Sequence, residues 1–442
     1  MDILIITAQL ILSLSILVIL HELGHFIPAR LFGTRVEKFY LFFDPWFSLF
    51  KVKKGETEYG IGWLPLGGYV KISGMIDESM DKEQLQKPAE SWEFRAKPAW
   101  QRLIIMIGGV TVNLLLGMFL YAMVLFVWGK EILPIKNAQN GIMVADSLAY
   151  SAGFRTGDKI ISVNGVRPAH FQEANLNLLL GSPTEVIVER AGKEVHIPIA
   201  KDFAEKVIGQ REPKLFVPAF PTVVELIPDS SKNYKKGLRH EDRIIAVNGV
   251  MTPWFSDLQM ELAKNKGKEI KVAVVRKNTD TLDLALQISE DGKIGFAPYG
   301  PNKYISTETL KYGFFASFPA GVGEGLETLK NYVRQFKLVF TKEGATQVGG
   351  FARIAQQFDK DWDWRQFWGF TAFLSIVLAF MNILPIPALD GGHVVFLLWE
   401  IITGRKPSEK VLEKAQVIGM ILLFSLLIYA NGNDIYRWLT GK

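Results

Sequence analysis

Residues 13–33 read SLSILVILHELGHFIPARLFG and join an apolar segment to two histidines and a glutamate. The preceding residues 3–20 carry no charge, and a helix of that length covers roughly 27 Å of a bilayer. A cleaved signal peptide is the alternative, but Asp2 is acidic and no small-residue cleavage site follows the apolar segment. The sequence therefore predicts a first membrane span that ends at HELGH.

The composition favours a membrane protein with soluble parts. Hydrophobic residues make up 49% of the 442 residues, and the formal net charge is +5. The basic residues cluster beside apolar segments rather than among aromatic residues, so we expect no nucleic-acid partner. The chain has no cysteine, which excludes disulfides, iron–sulfur clusters and cysteine-ligated zinc. Histidines and carboxylates must therefore hold any metal ion.

Three further apolar segments predict spans two, three and four, at residues 103–128, 367–384 and 417–430. The fourth is short and is extended back into the helix that KPSEKVLEKAQ begins. Basic residues concentrate between spans one and two and between spans three and four, which places both loops in the cytoplasm. Both termini and residues 130–365 are then predicted to be extracytoplasmic, and spans one and three both end at the inner side.

HELGH is a typical metal-binding pattern. On a helix, His21 and His25 point to one side and can bind a single metal ion, with Glu22 beside an open coordination position. The alternative is a chance pair of histidines, but ionisable residues inside a span are functional by default. A catalytic zinc ion needs a third protein ligand and keeps its fourth position for water.

Asp390, in MNILPIPALDGGHVVF at the inner end of span three, is the predicted third ligand. Pro385 and Pro387 interrupt the helix there, and the topology brings Asp390 to the same membrane face as HELGH. The histidines of residues 130–365 would lie on the other side. His393 is an alternative ligand, otherwise with a supporting or helix-start role. Asp390 would alternatively cap the helix beginning near His393.

Residues 130–365 contain an internal repeat. SAGFRTGDKIISVNGV at 151–166 matches KKGLRHEDRIIAVNGV at 235–250, which begins 84 residues later. Each copy leads through an acidic turn and an Ile-Ile strand to a Val-Asn-Gly hairpin turn. We therefore predict two β-rich domains, and the motif resembles PDZ domains of bacterial envelope proteases. Glu241 stands where the first copy has Gly157, which leaves the geometry of that turn open.

HExxH at the end of a first span, LDGG after a third span and PDZ-like domains between spans two and three together resemble the site-2 protease family of intramembrane zinc metalloproteases. The resemblance covers nearly the whole chain. It implies Zn²⁺ as the cofactor and Glu22 as the catalytic glutamate. The implied zinc ligands are His21, His25 and Asp390. The positions that match family residues involved in substrate handling are Asn382, Pro385 and Pro387.

Residues 60–74, GIGWLPLGGYVKISG, are similar to the membrane-associated β-hairpin of the family. Gly67, Gly68 and Tyr69 are predicted to contact the substrate, because an edge strand within residues 59–72 would accept an unwound peptide. The alternative is a hairpin that only positions span two.

Residues 94–113 resemble the family segment that leads into span two. This chain departs from the family in having Gly109-Val110 where many members have Gly-Pro, and Gly350-Phe351 where many have Gly-Pro after a first glycine. These departures concern the local backbone rather than the metal site. For Asn113, one interpretation is that it simply bonds a neighbouring helix.

The predicted fold is a polytopic α-helical membrane protein with four transmembrane helices, a membrane-associated β-hairpin and two inserted PDZ-like β-rich domains. An amphipathic helix within residues 308–342 would lie on the membrane surface or pack on the second β domain. The predicted parts are the first membrane core (1–129), the first and second PDZ-like domains (130–203 and 204–300), a linker with the amphipathic helix (301–365) and the second membrane core (366–442).

The resemblance implies a protease of the bacterial cytoplasmic membrane that cleaves single-span proteins of the anti-sigma-factor or signal-peptide type within the bilayer. Glu22 would take a proton from the attacking water and return it to the leaving amine, while Asn382 would stabilise the oxyanion. The PDZ-like domains would exclude substrates with bulky outer portions, or bind peptide ends. The alternatives are a membrane-anchored PDZ scaffold with a structural metal site and a tethered zinc protease that cuts soluble loops.

Overall fold

The computed structural model describes residues 2–65, 67–75, 88–144, 147–181, 183–208, 216–277 and 279–440. The chain divides into two compact units. Unit 1 consists of Met1–Gly129, Lys311–Lys337 and Val348–Lys442, and unit 2 of Lys130–Leu310 and Leu338–Gln347.

The described α-helices are α1 (Asp2–Leu31), α2 (Ala99–Val127), α3 (Ser147–Ser151), α4 (Phe171–Leu180), α5 (Phe203–Ile208), α6 (Lys232–Lys235), α7 (Phe255–Lys264), α8 (Phe314–Leu338), α9 (Lys342–Ala345), α10 (Phe351–Ala355), α11 (Trp364–Ile383), α12 (Asp390–Thr403) and α13 (Glu409–Thr440). The described strands are β1 (Val36–Leu41), β2 (Phe43–Lys54), β3 (Thr57–Leu64), β4 (Tyr69–Ile72), β5 (Lys130–Ile132), β6 (Ile142–Met143), β7 (Lys159–Val163), β8 (Glu185–Arg190), β9 (Lys193–Pro198), β10 (Val217–Pro218), β11 (Thr222–Leu226), β12 (Arg243–Val247), β13 (Val250–Met251), β14 (Glu269–Arg276), β15 (Asp280–Gln287), β16 (Ala297–Pro298) and β17 (Glu308–Leu310).

Four described helices of unit 1 are long and apolar enough to cross a membrane: α1, α2, α11 and α13. They confirm the four predicted apolar helices as candidate membrane spans. The helix α1 continues beyond the apolar segment through HELGH, so both of its histidines lie on regular helix. The short fourth segment lies within a helix that starts at Glu409, as the extension into KPSEKVLEKAQ predicted.

The helix α2 packs against α1, α11 and α12. Polar contacts also join the spans: the Thr371 hydroxyl of α11 donates to Ser13 of α1 at 3.0 Å, and the Ser375 hydroxyl donates to the Asn113 carbonyl of α2 at 2.7 Å. In an apolar environment such bonds satisfy hydroxyl groups that otherwise lack partners. They hold α11 against α1, which contains HELGH, and against α2.

Unit 1 also contains a four-stranded sheet in the order β2-β3-β1-β4. Strand β1 runs parallel to β3 and antiparallel to β4, with Tyr40 opposite Tyr69. The hairpin predicted over residues 60–74 is therefore wrong in its pairing, because β1 lies between β3 and β4. The hairpin partner of β3 is β2. Strand β4 lies at the edge of this sheet, as an edge-strand role requires.

Unit 2 contains two hydrophobic clusters, one within residues 133–216 and one within residues 224–294. Its sheets have the strand orders β7-β8-β9 and β15-β14-β12-β11-β16, with β13 added beside β12, and β6 pairs with β10 and β5 with β17. The first cluster includes Phe216 and so extends beyond the predicted boundary at residue 203.

Each copy of the repeat contains an aspartate that forms a buried ion pair with an arginine further along the chain. In the first copy Arg190 donates to Asp158 at 2.7 Å, and in the second Arg276 donates to Asp242 at 2.7 Å. Both aspartate side chains are completely buried. The hydrogen bonds from the arginines to these aspartates raise the pKa of each arginine above its usual value. The matched pairs show that the sequence repeat is also a structural repeat.

The acidic turn has the same form in both copies. Gly157 has φ = 93° and Glu241 has φ = 66°, so both residues lie in the left-handed region. The turn at Glu241 therefore has the same backbone geometry as the turn at Gly157, despite the steric cost of a side chain in this conformation. The Glu241 carboxylate accepts a hydrogen bond from the Tyr299 hydroxyl.

The helix predicted within residues 308–342 is α8. Its buried face carries Ser317, Gly321 and Gly325, and the last two lie against Ala122 and Met118 of α2. Small residues let the two helix backbones approach closely. The position of α8 relative to a bilayer stays a prediction.

Candidate metal centre and active site

Helix α1 and the start of α12 bring three metal-binding side chains together. The Nε2 atoms of His21 and His25 are 3.3 Å apart. Oδ2 of Asp390 lies 3.3 Å from the first and 3.4 Å from the second. A tetrahedral zinc ion with ligands at roughly 2.0–2.1 Å separates its ligand atoms by roughly 3.3–3.4 Å. The three residues therefore fit a zinc ion and could hold one.

The chemistry of these atoms also favours a cation. An unprotonated imidazole nitrogen and a carboxylate oxygen are both acceptors, so three such atoms in close contact repel one another unless a cation or protons lie among them. His25 is oriented for ligation, because its Nδ1 lies 2.8 Å from the carbonyl oxygen of Ile105 on α2. A proton on Nδ1 bonds that carbonyl and leaves Nε2 free for a metal ion.

Gly109 of α2 makes room for the two imidazole rings. A Cβ atom at this position would lie 2.4 Å from Nε2 of His25 and 2.6 Å from Cε1 of His21, well inside ordinary contact distance. Only glycine leaves the rings in their present positions. The Gly109-Val110 departure from the family pattern therefore keeps the residue that contacts the metal site.

A tight connection places Asp390. Helix α11 ends at Ile383, and α12 begins at Asp390 itself, with Leu389 as its N-cap. The alternative role of Asp390 as the helix cap is therefore wrong. Cβ atoms on Gly391 and Gly392 would lie within 2.2–2.6 Å of the backbone of residues 384 and 387. The LDGG glycines thus let α12 start directly against the connection that precedes it.

Helix α13 holds this connection from the other side. A Cβ atom on Gly419 would lie 1.6 Å from the carbonyl oxygen of Pro387. The backbone N–H of Ala388 donates to Oε1 of the buried Gln416 at 3.1 Å. Of the two predicted prolines, Pro387 is packed on α13, whereas Pro385 is exposed.

Strand β4 lies beside Glu22. The backbone N–H of Val70 is close enough to the Glu22 carboxylate to act on its charge. A Cβ atom on Gly68 would lie 2.5 Å from the Val18 side chain and 3.6 Å from Cγ of Glu22. The absence of a side chain at residue 68 therefore lets the sheet edge reach α1 next to HELGH.

The other two predicted substrate-handling residues of this segment, Gly67 and Tyr69, contact residues of the sheet. Gly67 lies beside the ring of Phe43. The Tyr69 ring stacks on Tyr40, and its hydroxyl donates to Oδ1 of Asp44 at 2.8 Å. Of the three residues, Gly68 is thus the one that the structure brings to Glu22.

Asn382 and His393 have different positions relative to the metal ligands. Nδ2 of Asn382, in the last turn of α11, lies 3.3 Å from Nε2 of His21. His393 lies outside the ligand group found among the described residues and lines a cavity of about 50 Å³ with Arg102 and Lys406. The structure thus favours Asp390 over His393 as the third ligand.

Sequence reasoning missed the close crossing of α1 and α2. A Cβ atom on Gly24, inside HELGH, would lie 2.5 Å from the carbonyl oxygen of Gly108, and one on Gly108 would lie 1.9 Å from the carbonyl oxygen of Gly24. Paired glycines inside an apolar segment are a known signal of close helix contact, so the pattern could have been found. This close crossing of the two helices brings Ile105 and Gly109 next to His21 and His25.

Comparison with known proteins agrees with this geometry. The sequence model of peptidase family M50 matches residues 9–426. The chain belongs to peptidase family M50. The regulator of sigma-E protease RseP of Escherichia coli K12 is 28% identical over 453 residues, covering 97% of this chain and 98% of that protein. A candidate zinc metalloprotease of Vibrio cholerae is 28% identical over 453 residues, covering 97% of both chains. The regulator of sigma E protease of Haemophilus influenzae is 27% identical over 447 residues, covering 97% and 98%.

Membership of M50 confirms the resemblance to site-2 proteases and the enzyme class that it implied. This M50 chain is a zinc metalloprotease, and its four apolar helices agree with a membrane protein. The zinc cofactor agrees with the His21, His25 and Asp390 group.

Proposed function

We propose that this M50 protease hydrolyses transmembrane segments of single-span membrane proteins at a zinc ion held by His21, His25 and Asp390. The observation that carries the proposal is the triangle of ligand atoms, 3.3–3.4 Å on each side, with Glu22 next to it in the chain. Two of the ligands lie on a helix that is apolar enough to cross a membrane. A hydrolytic centre on such a helix suits a substrate that is itself in the membrane.

The bound zinc ion would supply a Lewis acid that lowers the pKa of water and polarises a carbonyl. Glu22 takes a proton from the attacking water and returns it to the leaving amine. The nearby Val70 N–H would orient the Glu22 carboxylate. Asn382, whose amide nitrogen lies 3.3 Å from a ligand atom, donates a hydrogen bond to the developing oxyanion.

Strand β4 presents the substrate. The carbonyl groups of a transmembrane helix are bonded within the helix, so the segment must unwind before it is cleaved. An unwound peptide that adds to an exposed sheet edge gains main-chain hydrogen bonds. Because β4 is an edge strand that contacts Glu22, a peptide added there lies beside the catalytic carboxylate.

The substrates are anti-sigma factors or signal peptides in the bacterial inner membrane. Two relatives are named regulators of sigma-E protease, which supports the first class. The basic loops keep the metal centre at the cytoplasmic side, and both termini and unit 2 are extracytoplasmic. The two β-rich halves of unit 2 act as PDZ-like domains that exclude substrates with bulky outer portions.

The test compares the purified wild type with Glu22→Gln in detergent, measuring zinc per chain and cleavage of a single-span substrate that lacks a large outer domain. Glu327→Gln, an exposed position on α8, is the matched control and should cleave like the wild type. We expect zinc in all three proteins and no cleavage by Glu22→Gln. Cleavage by Glu22→Gln at the wild-type rate would refute the assignment of the base. Zinc without cleavage in the wild type would favour the scaffold alternative.

A further inference from the structure

Asn113 of α2 lies next to the metal ligands without a role in the chemistry described so far. Its side chain is buried, with 1% of the residue exposed. Nδ2 lies 3.2 Å from Nδ1 of His21, and Oδ1 is buried with no hydrogen-bond partner. A buried carboxamide with one unsatisfied end requires an explanation.

The two histidines of the centre differ in what supports them. The Nδ1 atom of His25 has the Ile105 carbonyl oxygen as its acceptor at 2.8 Å. The group next to Nδ1 of His21 is the Asn113 carboxamide. If Nε2 of His21 binds a metal ion, its Nδ1 carries the proton and needs an acceptor. An amide nitrogen is a donor and cannot fill that place.

Rotating a carboxamide by half a turn exchanges its oxygen and nitrogen at almost no change in shape. We propose that Asn113 is a positioning residue for zinc binding: its Oδ1 accepts the Nδ1 proton of His21 and holds the ring with Nε2 free as a ligand. This inference rests on the proposed role of His21 as a zinc ligand.

The interpretation that Asn113 bonds a neighbouring helix agrees with two contacts, and the one made by its side chain is with His21 of α1. Asn113 does join α2 to α11, since its carbonyl oxygen accepts a hydrogen bond from the Ser375 hydroxyl at 2.7 Å. That bond uses the backbone, which any residue at this position would offer. The contact with His21 is the one that requires a carboxamide.

The position of Asn113 is also fixed along α2. Gly109 lies one turn earlier, and its α-carbon faces both imidazole rings. The Ser375 bond holds the next turn at Asn113. Residues 109 and 113 therefore form one face of α2 that shapes the site, with glycine giving space and asparagine giving the acceptor.

The test measures zinc affinity of the full-length protein in detergent by competition with a chromophoric chelator, together with the visible spectrum of the Co²⁺-substituted protein. Asn113→Leu keeps the approximate size and removes the acceptor, so it should weaken zinc binding by about 10–100-fold. Asn113→Asp keeps an acceptor and should bind zinc and show the Co²⁺ spectrum like the wild type. Thr111→Ala, at an exposed position of the same helix, is the control and should also bind like the wild type.

Wild-type affinity in Asn113→Leu would overturn the proposal. Equal losses in Asn113→Leu and Asn113→Asp would also overturn it, because packing rather than the acceptor would then matter. Melting curves check that each variant folds, and Asn113→Ala replaces Asn113→Leu if the latter is not obtained folded. A wild type that binds no zinc would instead refute the ligand set of the proposed function.

Discussion

Replacing Gly109 by alanine tests whether the metal centre requires the absence of a side chain at this position of α2. The new Cβ atom would lie 2.4 Å from Nε2 of His25, whereas ordinary contacts begin at 3.4 Å. The imidazole must therefore retreat by about 1 Å, against its 2.8 Å bond to Ile105. A misplacement of about 1 Å in an active site can cost about 100-fold in rate. We expect kcat/KM of Gly109→Ala to fall by about that factor, with weakened zinc binding.

The assay is cleavage of the single-span substrate in detergent, with zinc per chain measured on the same samples. Gly369→Ala is the matched control, because this glycine is also inside a membrane helix and its Cβ would meet nothing within 4 Å. It should keep full activity, since alanine is the better helix former by roughly 1 kcal/mol. Wild-type activity and zinc content in Gly109→Ala would refute the reasoning.

Three further predictions concern other parts of the molecule. Asp242→Asn removes the buried carboxylate that pairs with Arg276 and should destabilise the second β-rich half of unit 2 by about 3 kcal/mol, measured by hydrogen exchange. The exposed Asp283→Asn should change little, and equal protection in both variants would contradict this prediction. Gly419→Ala should displace the connection before α12 and lower the zinc affinity, whereas Gly432→Ala, with open space around its Cβ, should not. Equal zinc affinity in the two variants would show that Gly419 does not hold this connection in place. A chelator should abolish cleavage and lower Tm reversibly, and an unchanged Tm in zinc-free protein would show that the metal does not help to hold the helices together.

The sequence was sufficient to predict the four apolar helices and the grouping of His21, His25 and Asp390. Charge-free segments of the right length have few other structures available, and residues four apart share a helix face. The positive-inside rule then placed Asp390 on the same side as His21 without any contact information. These inferences depend on periodicity, length and charge, which are all local properties of the chain.

The arrangement of the sheet could not be predicted in the same way. Residues on either side of Pro65 alternate like the arms of a hairpin, but β3 pairs with β2 and β1, and β4 pairs with β1 alone. Strand order depends on pairing between strands that are distant in the sequence. The residue pattern of one strand does not contain that information. The roles of Gly24 and Gly108 likewise became clear only when the two helices were seen in contact.

The ligands of the proposed metal centre lie on two helices that are distant in the sequence. His21 and His25 lie on one continuous helix, so the distance between their α-carbons is set by helix geometry alone. Asp390 begins a second helix, and its position depends on a connection clamped by Gly391 on one side and Gly419 on the other. A zinc ion bound to all three residues would therefore link α1 to α12, as well as supply the chemistry. Substitutions in that clamp should thus reduce zinc affinity although none of them touches a ligand atom.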